Sequence, residues 1–94
     1  MTEIVLITGA GIGIGRASAK AFAAAGYHVV VTDVLEAEGA SCVAEITAAG
    51  GSAEFHVLDV RSTEAADALV AQIEAAHGGI DVIVANAGIA HKVP

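Results

Sequence analysis

The residues with the clearest chemical potential form one short stretch, TGAGIGIG, at positions 8–15. Glycine occupies every second position from 9 onward, directly after the apolar run 4–7. Where a strand turns into a helix, the first helical N–H groups have no partner within the helix, and an anion can accept their hydrogen bonds. Glycines lack a Cβ, so a pyrophosphate can approach the backbone. The stretch indicates a phosphate-binding turn, with a tight β-to-α turn that binds nothing as the alternative.

The spacing of the glycines separates the known types of phosphate-binding turn. The general dinucleotide pattern G-x-G-x-x-G is not met, because no glycine stands at its sixth position from any G-x-G start. The P-loop pattern fails as well, since no Gly-Lys pair occurs in the sequence. The stretch does match T-G-x-x-x-G-x-G, through Thr8, Gly9, Gly13 and Gly15.

Short β-branched runs alternate with longer alanine-rich segments of helical spacing along the chain. The pattern predicts strands at 3–8, 27–33, 53–60 and 80–88, and helices at 14–25, 35–49 and 63–77. A βαβαβαβ order implies parallel strands joined by right-handed crossovers. We expect an α/β fold: one half of a Rossmann-like, doubly wound sheet with strand order 3-2-1-4.

Capping residues and apolar runs refine these elements. Gly26 and Gly78 are expected to end two helices, and Ser62 or Thr63 to cap the third. The strand at 80–88 is almost continuously apolar, which predicts burial on both faces. The strand at 53–60 alternates polar and apolar residues, as an edge strand with one wet face does.

Asp33 ends the second predicted strand, next to the expected position of the glycine turn. In dinucleotide-binding folds, an acidic residue here accepts hydrogen bonds from both hydroxyls of the adenosine ribose. A helix N-cap or a plain solvated carboxylate is the alternative. A 2′-phosphate would be repelled by Asp33, and its neighbour Val34 and the turn residue Ile12 supply no cation. The sequence favours NAD over NADP.

Four strand ends together resemble the short-chain dehydrogenase/reductase family over the whole chain. They are the glycine turn, Asp33, the Asp59–Val60 pair, and the Asn-Ala-Gly triplet at 86–88. The resemblance implies that Asp59 contacts the adenine amino group, that Val60 lines the adenine pocket, and that the triplet borders the nicotinamide ribose. The usual family form has two asparagines before the alanine, whereas this chain has Ala85 before Asn86. The expected cofactor-binding residues are Thr8, Gly9, Gly11, Ile12, Gly13, Ile14, Gly15, Asp33, Val34, Asp59, Val60, Asn86, Ala87 and Gly88.

The resemblance implies an NAD-dependent oxidoreductase that transfers a hydride to or from an alcohol or carbonyl substrate. In that family a serine, a tyrosine and a lysine four residues after the tyrosine exchange the proton. The single tyrosine here is Tyr27, and position 31 is Val31 rather than lysine. No catalytic residue is therefore assigned, and we expect the 94-residue chain to be inactive alone.

Four strands amount to one unit, which we expect to be the N-terminal part of a longer, homo-oligomeric enzyme. The strand at 80–88 would otherwise be an exposed apolar edge. A stand-alone dinucleotide-binding or interaction module without catalysis is the main alternative. A flavin or nucleotide-sugar enzyme of related fold is a weaker one, because Ile12 breaks the T-G-x-x-G-x-x-G spacing that extended relatives prefer.

Charge and composition exclude several function classes. The net charge of −7 argues against nucleic acid as a partner. No apolar run reaches the roughly 18 residues of a membrane span, and no export signal is visible. The single cysteine, Cys42, rules out an internal disulfide, which favours a cytoplasmic location. The four histidines lie on different elements without metal-ligand spacing, so no metal site is predicted.

Overall fold

The computed structural model describes residues 2–86, and the expected cofactor residues Ala87 and Gly88 lie outside this range. Strands and helices alternate as β1 (Ile4–Thr8), α1 (Gly13–Ala24), β2 (His28–Asp33), α2 (Glu36–Ala48), β3 (Ser52–Val57), α3 (Thr63–His77) and β4 (Val82–Ala85). The strands form one parallel sheet in the order β3-β2-β1-β4. The predicted α/β fold and strand order are confirmed.

The two faces of the sheet hold separate apolar cores. The odd-numbered residues of β1 and β2, such as Val5 and Val31, pack against α1 and α2, where Cys42 is fully buried. The even-numbered residues, such as Leu6 and Val30, pack with Leu69 and Ile73 of α3. Both faces of β1 and β2 are buried, which explains why their apolar runs are continuous rather than alternating. The two central strands thereby fix the position of the loops that follow them.

The helix ends follow the local signals in the sequence. The Ser62 hydroxyl accepts a hydrogen bond from the Ala65 amide at 3.1 Å, so Ser62 rather than Thr63 caps α3. Gly78 ends α3 in the left-handed conformation at φ 86°. Gly26 follows the last turn of α1 at φ 98°. After Gly26 and Gly78 the chain turns back to the sheet and enters β2 and β4, respectively.

Two strands differ from their predicted form. β3 ends at Val57, because the Leu58 amide makes the last bond to β2, at Asp33 O, and the chain then turns through Asp59. β4 was expected to be buried on both faces, but Ile83 is 57% exposed. The reason is that α3 covers Leu6, the cross-strand neighbour of Ile83, without reaching β4 itself. Within residues 2–86, no helix is long and apolar enough to cross a membrane.

Candidate functional site

The glycine turn joins β1 to α1 at the carboxyl edge of the sheet. Gly9 and Gly13 adopt positive φ angles of 63° and 59°, which residues with a side chain rarely do. A Cβ at Gly15 would overlap the Gly9 carbonyl oxygen and lie 2.8 Å from the Gly9 carbonyl carbon. The start of α1 is therefore pressed directly onto the turn. This packing leaves no room for a side chain at position 15.

The first turn of α1 is open toward a ligand. The N-cap residue Ile12 contributes no side-chain hydrogen bond, and no acidic residue stands in the first helical turn. Apart from its chain neighbours and the backbone of its own helix, a Cβ at Gly13 would meet no atom of residues 2–86 within 4 Å, so the described part of the chain leaves this side of the helix start open. The unpaired amides and the helix dipole together favour an anion at this end of α1.

Asp33 is tied to the glycine turn by hydrogen bonds. Its Oδ2 accepts from the Gly11 amide at 2.8 Å and its Oδ1 from the Leu35 amide at 3.0 Å. The residue is 7% exposed, and Leu35 rather than Asp33 is the N-cap of α2. Asp33 is therefore neither a helix cap nor a solvated carboxylate. A carboxylate oxygen has two lone-pair sites, so each oxygen retains one for a further donor.

Gly11 explains why the turn and Asp33 fit so closely. A Cβ at this position would lie 2.9 Å from Asp33 Oδ2 and 3.1 Å from the Glu38 Cβ. Both distances are shorter than ordinary contacts, so a side chain would push the carboxylate away from the turn. The residue type at position 11 thus sets the position of the acid that follows β2.

Arg16 fixes the turn against α2. Its guanidinium donates to the carbonyl oxygens of Gly11 at 2.9 Å and Glu38 at 3.1 Å, and to Ser41 Oγ at 3.0 Å. It also pairs with Glu45 at 2.7 Å. The Arg16 side chain therefore serves as a brace between α1 and α2. Its partners on α2 lie 22 to 29 residues further along the chain, so the residues next to Arg16 in the sequence do not indicate this role.

Asp59 and Val60 follow β3 on the same edge of the sheet. Arg61 donates to the Asp59 carboxylate from its side chain and from its backbone amide, at 2.8 to 3.3 Å. The Arg61 side chain, first, and then its amide lower the pKa of Asp59 to about 2. Asp59 is therefore an anion at neutral pH. Val60 is 37% exposed beside it.

The end of β4 supplies the last described part of the site. The Thr8 hydroxyl donates to the Val84 carbonyl at 3.5 Å, which links the ends of β1 and β4. Asn86 follows immediately, and its side-chain nitrogen is buried without a hydrogen-bond partner in the described part of the chain. A buried amide left in this state is costly unless another group completes it.

Large apolar side chains surround the glycine turn. Ile12, Ile14 and Val34 are 55%, 79% and 57% exposed, respectively. Isolated exposed apolar residues are common, but these three flank the same turn. They offer an apolar surface next to the polar groups of Gly11 and Asp33.

Tyr27 lies at the opposite, amino edge of the sheet. Its ring packs edge-on against Phe22 with centroids 4.9 Å apart. The charge of Glu3, followed by burial, raises the pKa of Tyr27 above its ordinary value. A tyrosine that is far from the glycine turn and has a raised pKa is unsuited to proton transfer at that turn. The sequence excludes Tyr27 from that role as well, because no lysine follows it at position 31.

The histidines depart from their sequence interpretation. His28, His56 and His77 come from three different elements, yet each places a ring nitrogen within 2.9 Å of the Glu54 carboxylate. Burial raises the pKa of Glu54, but hydrogen bonds from the three imidazoles outweigh it and bring this pKa to about 2. These three histidines do lie on different elements, as expected, but the sequence did not indicate that they share a carboxylate.

Residues 3–94 match the family model described as short chain dehydrogenase. The chain belongs to the short-chain dehydrogenase family. Among curated relatives, it is 48% identical over 86 residues to "Probable oxidoreductase EphD" of Mycobacterium tuberculosis. It is 46% identical over 87 residues to the 3beta-hydroxysteroid dehydrogenase of Mediterraneibacter gnavus.

Solved structures of short-chain dehydrogenases superimpose closely on the chain. A metagenomic short-chain oxidoreductase in complex with NADP is 39% identical, with a TM-score of 0.88 over 93% of this chain. A hydroxysteroid dehydrogenase from Escherichia coli is 38% identical, with a TM-score of 0.86 over 92% of this chain. The Rossmann-like fold is thus the fold of the family.

The chain spans only part of these relatives. It covers 14% of the EphD oxidoreductase, 32% of the Mediterraneibacter enzyme, and 39% and 37% of the two solved structures. The matched part is the N-terminal, cofactor-binding portion of short-chain dehydrogenases.

Proposed function

We propose that this chain binds NAD and forms the cofactor-binding part of an oxidoreductase acting on an alcohol or carbonyl group. One observation carries the proposal: the buried Asp33 carboxylate is joined to the glycine turn through the Gly11 amide at 2.8 Å. A buried acid of the kind that binds ribose hydroxyls and a helix start of the kind that binds pyrophosphate therefore lie at one edge of the sheet, which supports the proposal. NAD, when bound, supplies a nicotinamide ring that accepts or donates the hydride.

Each part of the edge has a proposed role toward the dinucleotide. The amides at the start of α1 hold the pyrophosphate, with Gly9, Gly13 and Gly15 giving the backbone its shape. Thr8 braces the turn, and Gly11 sets the position of Asp33, which accepts the hydroxyls of the adenosine ribose. Ile12, Ile14 and Val34 cover the apolar surface of the adenosine half. The buried side-chain nitrogen of Asn86, which has no hydrogen-bond partner within residues 2–86, fits a ligand group near the end of β4.

Asp59 and Val60 are proposed to hold the adenine. An ionised Asp59 is a hydrogen-bond acceptor, as an exocyclic amino group requires. Val60 presents an exposed apolar surface next to it. Ala87 and Gly88, which lie outside the described residues, complete the proposed set beside the nicotinamide ribose.

The charges of the described residues support NAD rather than NADP. Arg16 and Lys20 both pair with Glu45 at 2.7 Å, and Arg61 pairs with Asp59 at 2.8 Å. Each Lys or Arg in residues 2–86 thus has a carboxylate partner, so none is left to neutralise a 2′-phosphate beside Asp33. NADP remains the second candidate, because the metagenomic relative was solved with NADP.

Titration of the chain with NAD and with NADP by isothermal calorimetry tests the cofactor choice. We expect NAD to bind at least about tenfold more tightly, because a phosphate beside Asp33 adds a like-charge contact costing more than ~1 kcal/mol. Asp33→Asn should narrow this difference, since it removes the charge and keeps the side-chain size. Tighter binding of NADP to the unmodified chain would contradict the proposal.

Asp67→Asn is the matched control for that variant. Asp67 is exposed on α3, so the substitution makes the same change in net charge away from the glycine turn. Its preference for NAD over NADP should equal that of the unmodified chain. If both variants lost the preference for NAD over NADP equally, the effect would be due to net charge, and the proposed role of Asp33 would be wrong.

The substrate class is proposed from the relatives. Two of them are named hydroxysteroid dehydrogenases, and a hydroxysteroid carries an alcohol group. Proton exchange with such an alcohol needs a group that residues 2–86 do not place near the glycine turn, because their single tyrosine, Tyr27, lies at the other edge. We therefore propose that this chain supplies cofactor binding and no proton transfer. Measurable turnover of an alcohol by the 94-residue chain would contradict this.

A further inference from the structure

A second polar cluster lies at the opposite end of the sheet from the glycine turn. It is formed by His28 at the start of β2, Glu54 in β3 and His77 at the end of α3. Parallel strands bring the amino ends of β2 and β3 together, and the last turn of α3 reaches the same place on its way to β4. Sequence positions 23 and 26 apart are thus placed side by side.

The three side chains converge on one small volume. His28 Nε2 lies 2.7 Å from Glu54 Oε1, and His77 Nε2 lies 2.9 Å from the same oxygen. The two imidazole rings are tilted by 36°, with centroids 4.7 Å apart. One potential ligand atom from each of the three residues lies within 4.8 Å of the others.

We propose that His28, Glu54 and His77 form a binding site for a divalent transition metal, with Zn²⁺ the best fit. Zinc takes imidazole nitrogen and carboxylate oxygen ligands at roughly 2.0 to 2.2 Å, which in a tetrahedron places ligand atoms about 3.4 Å apart. The separations between the ligand atoms, from 2.7 Å to at most 4.8 Å, lie on both sides of this value. Small side-chain rotations would therefore bring the three ligand atoms to the distances that zinc requires. Three protein ligands leave a fourth position for water, as zinc sites that stay open do.

Neighbouring groups orient these ligands. Ser52 Oγ lies 2.6 Å from His28 Nδ1, so Nδ1–H can donate to the hydroxyl while Nε2 faces the metal. His56 Nε2 lies 2.6 Å from Glu54 Oε2, the carboxylate oxygen that is turned away from the other two histidines. Partners of this kind fix the tautomer and the orientation of metal ligands. His56 is accordingly a positioning residue for Glu54.

The site has a route to solvent and a structural consequence. His77 is exposed on the last turn of α3, so an ion can enter from that side. Leu69 and Ile73 are the buried residues through which α3 packs on the sheet, with the partly buried Ala66 and Val70 beside them. A metal bridging His77 to Glu54 would add a further point of attachment and hold the end of α3 to the edge strand. Binding to the folded state alone raises stability by mass action.

Titration of the 94-residue chain with ZnCl₂ by isothermal calorimetry tests the site directly. We expect one Zn²⁺ per chain and a higher unfolding temperature in its presence. His77→Ala should weaken binding by at least ~10-fold, because a ligand is lost. Glu54→Gln should do the same with little change in side-chain size. Cobalt(II) should give the intense visible absorption of a four-coordinate site, and that band should be lost in His77→Ala.

Asp67→Asn again serves as the control, since it removes one acidic charge from α3 without touching the cluster. Its zinc affinity should stay within about twofold of the unmodified chain. Equal affinity in His77→Ala and the unmodified chain would overturn the proposal, as would the absence of a zinc-dependent heat. Circular dichroism of each variant establishes that it is folded. His77→Ala should also leave the NAD titration unchanged, which separates this site from the glycine turn.

Discussion

Gly15→Ala is expected to destabilise the protein, although alanine is the better helix former. At an ordinary helical position this substitution gains up to ~1 kcal/mol. At position 15 the new Cβ would overlap the Gly9 carbonyl oxygen and lie 2.8 Å from its carbon and 3.1 Å from the Ala10 Cα. Ordinary carbon contacts are about 3.5 Å or longer, so the turn must retreat by at least roughly 0.7 Å to relieve the carbon contact, and further to relieve the overlap with the oxygen.

The obstacle at position 15 is backbone, which cannot rotate aside as a flexible side chain would. Overpacking of this kind costs about 1–3 kcal/mol, which exceeds the helix-propensity gain. We expect the free energy of unfolding to fall by about 1–2 kcal/mol, measured by guanidinium chloride denaturation followed by circular dichroism. The displaced turn should also weaken NAD binding by at least about tenfold, since the proposed pyrophosphate site is built from the same backbone.

Ala21→Gly provides the comparison for Gly15→Ala. Ala21 is exposed on the same helix, so its replacement should cost about 1 kcal/mol through helix propensity alone and leave NAD affinity unchanged. A Gly15→Ala variant that is as stable as the unmodified chain and binds NAD equally well would refute the close approach of α1 to the turn.

Three further predictions follow from single contacts. Gly39→Ala should lower the free energy of unfolding by about 1–3 kcal/mol in chemical denaturation, because its Cβ would overlap the Phe55 ring; a neutral effect would argue against this packing. Ser62→Ala should lower it by about 1 kcal/mol through loss of the α3 cap, and amide hydrogen exchange should quicken most in the first turn of α3. Arg61→Ala should return the Asp59 pKa from about 2 toward 3.8, measured by NMR of the carboxyl carbon. Because the pKa of Asp59 is depressed in the folded state, the stability from this pair is present above about pH 4 and is lost as the pH falls toward 2; an unchanged pKa in the variant would show that Arg61 is not the cause.

The sequence by itself determined the order of the elements and the position of the glycine turn between β1 and α1. β-branched runs, alanine-rich segments and caps such as Ser62 and Gly78 act within a few residues, so their effects can be derived from neighbours along the chain. The turn residues and Asp33 were found in the same way, because each ends a strand. The resemblance to short-chain dehydrogenases rested on these strand ends, and the family match confirmed it.

The tertiary structure decided what depends on partners distant in sequence. Arg16 became a brace because α2 passes beside it, and Ile83 stayed exposed because α3 covers the neighbouring strand instead. Most clearly, His28 and His77 meet at Glu54 because strand pairing and the end of α3 bring them there. Residues more than 20 positions apart on different elements leave no periodic trace in a sequence, so only the fold reveals that they share a site.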